Sequence, residues 1–162
     1  MAVVKANYTR AKPRVKASAR YYSHRPAERE RGRAWRDAYD GGGDMTKREV
    51  YERLDRWGEG YYYRLVLNPG AGREHRAETM EDWVRRTMEQ LEERGMVRDW
   101  VAWTHDDHSA HAHAHVLAWS DRRWTREDLA EAREAATREW ERVRELERER
   151  ERDDYRWERG RA

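Results

Sequence analysis

"DWVAWTHDDHSAHAHAHVLAWS", residues 99–120, packs five histidines into the eleven residues from His105 to His115. Three of them, His111, His113 and His115, are spaced by two, and Ala112, Ala114 and Val116 fill the gaps. On a β-strand that spacing sets the imidazoles on one face and the small apolar residues on the other. The segment therefore predicts a strand with a row of imidazoles on one side and a core-facing side opposite. "DWVAWTH" (99–105) reads as the strand before it, so the two form an antiparallel hairpin.

Working outward, "AVVKANY" (2–8) and "RVKASARYY" (14–22) read as short strands broken at Pro13. Residues 23–43 are polar and end in glycines, which predicts a mobile loop with some helix around Trp35. "TKREVYERLDRW" opens with Thr46 and Glu49 at capping-box spacing, and Val50, Leu54 and Trp57 follow at helical spacing. "YYYRLVLNPG" (61–70) reads as a strand stopped by Pro69–Gly70. Thr79 and Asp82 open a helix with Met80, Val84, Met88 and Leu91 as its buried stripe, ended by Gly95. Thr125 and Asp128 start a long last helix with Leu129, Ala132, Ala136, Trp140 and Val143 on one face. Beyond Leu146 the apolar stripe stops and a solvated extension held by i,i+4 ion pairs is expected. The pattern predicts an α+β fold: an antiparallel sheet carrying the His-x-His strand, with helices packed over it and a long C-terminal helix. One domain over 1–150 with a basic N-terminal arm and a charged tail at 151–162 is the expected organisation.

The chain of 162 residues has no Cys, which excludes disulfides, thiolate metal sites and a thiol nucleophile. No apolar run approaches the roughly 20 residues needed to cross a bilayer. No signal-peptide core is visible either, so a cytoplasmic location without a membrane partner is expected. Charged residues make up 42% of the chain, but the net charge is only +2. Residues 1–37 hold eleven Lys/Arg against three acidic residues, so the remainder is net acidic. A basic arm on a near-neutral protein points to a local polyanion contact. Nine Trp and nine Tyr with no Phe supply the aromatic core and candidate base-stacking surfaces.

A neutral imidazole is a good ligand for divalent ions. His113 and His115 can aim at one point from one strand, and His105, at the end of the neighbouring strand, completes a facial set. Three His without a thiolate leave coordination positions open, as a catalytic site requires. A Mg²⁺- or Mn²⁺-class ion is expected there, able to polarise a phosphate oxygen. His108 and His111 are alternatives to His105.

"HDDHSAHAHAHVLAW" resembles the third motif of relaxases, the mobilisation nucleases of the HUH endonuclease superfamily, in which a His followed by an Asp precedes a His-x-His strand. "YYYRLVLNPG" is similar to the second motif, with Asn68 where Ser is common. "ASARYYSHRP" (17–26) is similar to the first, which carries the tyrosine. The resemblance covers roughly residues 14–140 and is specific only in its histidines.

It implies nicking of single-stranded DNA at an origin of transfer by a tyrosine hydroxyl, a 5′-phosphotyrosine intermediate and a His-bound metal. Accessory relaxosome proteins would be further partners. Tyr21 matches the family position best, with Tyr22 next and Tyr8 third. Strand alternation would put Tyr21 on the apolar face with Val15, Ala17 and Ala19, and Tyr22 on the polar face with Lys16, Ser18 and Arg20. Asp107 fits the Asp after the first His, as a group holding an imidazole N–H, with Asp106 as the alternative. Arg20 and Arg25 would favour the phenolate, and Lys12, Arg14, Lys16 and Arg20 would follow the DNA backbone. Two other readings stay open. One is a replication initiator or transposase that uses Tyr155. The other is a non-catalytic, metal-binding accessory protein for single-stranded DNA.

Overall fold

The hairpin at 99–120 forms as its alternation predicts. In a computed structural model that describes residues 1–23, 38–70, 77–105 and 112–160, β5 (Asp99–His105) and β6 (His113–Ser120) pair antiparallel, with His105 opposite His113 and Trp103 opposite His115. The full order is β1 (Val3–Thr9), α1 (Lys12–Ser23), β2 (Ala38–Asp40), β3 (Gly43–Met45), α2 (Lys47–Arg56), β4 (Tyr61–Asn68), α3 (Ala77–Glu93), β5, β6 and α4 (Arg126–Gly160). The six strands make one antiparallel sheet in the order β1-β4-β6-β5-β2-β3. The fold is α+β, with helices on both faces of the sheet.

Each face has its own core. Ala114, Val116 and Ala118 of β6 join Trp100 and Ala102 of β5 under Met80, Trp83, Val84 and Met88 of α3 and Ala132, Ala136 and Val143 of α4. The other face buries Trp103, Val101 and Leu117 against Val15, Ala19 and Tyr22 of α1, Val50 and Leu54 of α2 and Trp57 just after it. The imidazole side of β6 is thus polar only at its first residues and becomes a second apolar core further along.

Local chemistry sets the ends of the helices. Thr46 and Glu49 make a reciprocal capping box at the start of α2. Gly95, at φ 70°, ends α3 in a Schellman turn, where the Met96 N–H donates to the Leu91 carbonyl at 2.9 Å and the Gly95 N–H to that of Glu92 at 2.9 Å. α3 itself begins at Ala77, two residues before the expected Thr79. Thr125 and Asp128 bond reciprocally at the start of α4, at 2.7 and 3.1 Å. α4 then runs unbroken to Gly160, with every residue from 148 to 160 exposed. Its ion pairs include Arg144–Glu147 and Arg148–Glu145, three residues apart rather than four.

Two expectations are corrected. Residues 14–22 are not a strand; they belong to α1. Val15, Ser18, Ala19, Tyr22 and Ser23 are the buried set, at spacings of three and four, so the helical period wins over the two-residue alternation that the same letters also allow. Pro13 sits in the first turn, where its missing N–H costs nothing. Within the expected loop at 23–43, residues 38–45 form the β2–β3 hairpin, whose turn is held by the Asp40 carboxylate accepting from the N–H groups of Gly42 and Gly43 at 2.8 and 3.1 Å. Trp35 lies outside the described residues. No helix among the described residues is long and apolar enough to cross a membrane.

Candidate metal centre

Register decides which side chains can meet. On the sheet face that carries α1 and α2, alternation aligns Trp103 and His105 of β5, His113 and His115 of β6, and Arg64 and Val66 of β4. His105 closes β5 and His113 opens β6 directly opposite, so the hairpin mouth gathers three imidazoles on one side. Their ring centroids lie 5.4 Å (His105–His113), 4.5 Å (His105–His115) and 5.0 Å (His113–His115) apart.

One nitrogen from each ring lies within 4.8 Å of the others. Three atoms so placed share a point at most about 2.8 Å from each (4.8 Å divided by √3), which is up to about 0.7 Å beyond a metal–nitrogen bond of about 2.1 Å. The group can hold a metal ion after a small contraction. The tautomer fits as well. His105 is fully buried, and its Nε2 lies 3.3 Å from the main-chain carbonyl of Tyr22. A carbonyl only accepts, so Nε2 is the donor in this contact, which makes Nδ1 the ring nitrogen that could serve as a ligand.

α1 brings the tyrosines to this cluster. Tyr22 is 7% exposed, and its ring stacks on that of His115 at 4.2 Å with 18° between planes. Tyr21 is 62% exposed, with its ring 6.1 Å from that of Tyr22. The helix reverses the faces that strand alternation implied: Tyr22 shares the buried side with Val15 and Ala19, while Tyr21 faces outward. A cavity of about 520 Å³ opens beside them, lined by Tyr21, Tyr22, His115, Arg14, Arg64 and Tyr8 among others. Burial pushes the Tyr22 hydroxyl above the ordinary tyrosine pKa; the Arg64 charge pulls the other way, and Tyr21 adds to the rise. Tyr22 therefore holds its proton more tightly than a free tyrosine.

The expected DNA-binding residues divide. Arg14 lines the cavity and Arg20 is exposed on α1. Lys12 donates to the carbonyls of Asp55 and Trp57, and Lys16 pairs with the Asp55 carboxylate, so both fasten α1 to the end of α2. Arg25, Asp106, Asp107, His108 and His111 lie outside the described residues. Tyr155 is on the exposed end of α4, where its hydroxyl accepts from Arg159 Nε at 2.9 Å.

Arg64 is the cavity residue that the sequence reading passed over. Its signal was present: a lone Arg in the apolar strand "YYYRLVLN", two residues from Val66, which pairs with His115. Arg64 Nε donates to Asn7 Oδ1 of β1 at 2.9 Å, which holds the guanidinium along the sheet surface. No family model matches the chain, and a search of curated proteins returns no match.

Proposed function

We propose that the protein nicks single-stranded DNA by attack of the Tyr21 hydroxyl on a phosphodiester, as relaxases do. The observation that carries this reading is the seating of the Tyr21–Tyr22 turn of α1 on the three-histidine cluster, with one cavity shared by Tyr21, Tyr22 and His115. A nucleophile must reach a phosphorus atom from open space, and Tyr21 has that access while Tyr22 lies flat against an imidazole.

In this reading the Tyr21 oxygen bonds to phosphorus as the bond to the 3′ oxygen breaks. The tyrosine proton passes to solvent, and the leaving oxygen takes up a proton to give a free 3′-OH. The strand on the 3′ side of the nick stays on the enzyme through its 5′-phosphate, as a phosphotyrosine. Arg14 and Arg64 line the cavity as guanidinium partners for phosphate oxygens. His105, His113 and His115 would hold a divalent ion, which would supply further positive charge at the phosphate, and an all-imidazole donor set suits Mn²⁺ better than Mg²⁺. The DNA partner is a nick site on a mobile element, served together with accessory relaxosome proteins.

Incubation with single-stranded oligonucleotides and Mn²⁺, read on a denaturing gel, tests this. A covalent adduct is expected with the wild type and not with Tyr21→Phe, which deletes one hydroxyl and keeps the ring. Retention by Tyr21→Phe with loss in Tyr22→Phe moves the nucleophile one residue. Loss only in Tyr155→Phe selects the initiator or transposase branch. A shift seen only under native conditions selects a binding module that does not cleave.

A further inference from the structure

We infer that Tyr22 is a positioning residue for the imidazole cluster: the last turn of α1 holds His115 by ring stacking and His105 through a main-chain carbonyl. The inference rests on the metal centre and is independent of the cleavage chemistry.

Two different atoms of one residue make the two contacts. The Tyr22 ring lies parallel to the His115 ring at 4.2 Å, which blocks rotation of that imidazole out of the cluster. The Tyr22 carbonyl accepts the His105 Nε2–H at 3.3 Å. A carbonyl in the last turn of a helix has no intrahelical donor, so it is available for that bond.

Ser23 secures the turn. Its hydroxyl donates to the Ala19 carbonyl at 2.8 Å and accepts the Trp103 indole N–H at 3.1 Å. Trp103 lies opposite His115 in the β5–β6 register, and its ring is 5.5 Å from that of Tyr22. The end of α1 is thereby fastened at the same place where the ligands converge. Imidazoles already held in orientation and tautomer lose less freedom when they bind an ion. Seating of α1 and metal uptake then favour one another, because each needs the same arrangement of Tyr22.

The test measures Mn²⁺ uptake by the full chain without DNA, by calorimetric titration and by the EPR signal of free Mn²⁺. Tyr22→Phe keeps the ring and the carbonyl and should bind within about threefold of wild type, whereas Tyr22→Leu loses the stack and should bind about 10–100-fold more weakly. His113→Ala should lose uptake. Wild-type affinity in Tyr22→Leu, or equal weakness in Tyr22→Phe and Tyr22→Leu, overturns the inference. If Tyr22→Leu does not fold, the wild type decides: a long-range ¹H–¹⁵N spectrum of the metal-free protein should show the His105 proton on Nε2. A proton on Nδ1 overturns the inference, as does a wild type that takes up no Mn²⁺. Because no DNA is present, these outcomes separate from the adduct assay of Tyr21→Phe.

Discussion

At the scale of single residues, the site depends on which face of α1 each side chain occupies. Tyr21 and Tyr22 are neighbours in sequence, yet one is open to solvent and the other is packed between Trp103 and His115. Arg64 follows the same logic from the sheet: its position on β4 puts a guanidinium into the cavity, while Lys16 is engaged by Asp55. Arg64→Ala should therefore weaken binding of single-stranded DNA and reduce the log–log salt slope by about 0.7, the value for one lost phosphate contact. Lys16→Ala should leave that slope unchanged and cost only the about 0–1 kcal/mol of an exposed ion pair. Fluorescence titrations across a salt series measure both. An unchanged slope in Arg64→Ala would remove this arginine from the DNA path.

At the scale of elements, the start of α4 offers a measurable acid dependence. Asp128 accepts from Thr125 N–H and from both terminal nitrogens of Arg122, at 2.5 and 3.0 Å. Arg122 does most to hold the Asp128 pKa down at about 2, with Thr125 helping against the opposing effect of burial. A carboxyl whose folded pKa is depressed contributes stability above its unfolded value of about 3.9 and loses it as pH falls towards 2. Asp128→Asn should cost about 1–2 kcal/mol at pH 6, after discounting for the half-exposed Arg122. The difference from wild type should shrink as pH falls from about 4 and close only below about pH 2, read from chemical denaturation at each pH. At the other end of α3, Gly95→Ala places a Cβ at φ 70° and should destabilise by about 1–2 kcal/mol. Its Schellman bonds are otherwise free to persist, so the helix content should not change.

At the scale of the whole molecule, the sheet is buried on both faces, but unequally. α3 and α4 cover one face with a broad core, while α1 and α2 leave a cavity on the other that reaches His115. An ion that binds only the folded chain stabilises it by about 2.7 kcal/mol at a hundred times its Kd. Mn²⁺ should therefore raise the melting temperature of the wild type and leave that of the His113→Ala, His115→Ala double variant unmoved. The far end of α4 lies outside both cores, and removal of residues 148–160 should change neither the melting temperature by more than about 2 °C nor Mn²⁺ uptake, since exposed residues add little. A large drop would mean that the extension packs on something in solution.

The strand pair around the histidines, the capped starts of α2 and α4 and the glycine stop of α3 were all legible in the amino-acid sequence. Each is set by neighbours within a few residues: a two-residue alternation, a Thr–x–x–Glu or Thr–x–x–Asp box, a glycine with positive φ. The grouping of His105 with His113 and His115 was legible too, because a hairpin fixes what lies opposite. Residues 14–22 were not, since Val15, Ala19 and Tyr22 satisfy a helix while Val15, Ala17, Ala19 and Tyr21 satisfy a strand. The apolar floor offered by Trp103, Val101 and Leu117 suits the helical set, and those residues come from strands some eighty or more positions further along the chain. β2 and β3, three residues each, are too short for alternation to show and exist because β5 offers β2 an edge and β2 in turn pairs with β3. Which tyrosine is open, and that Arg64 stands in the same cavity, were decided only when packing across the sheet chose a face for α1.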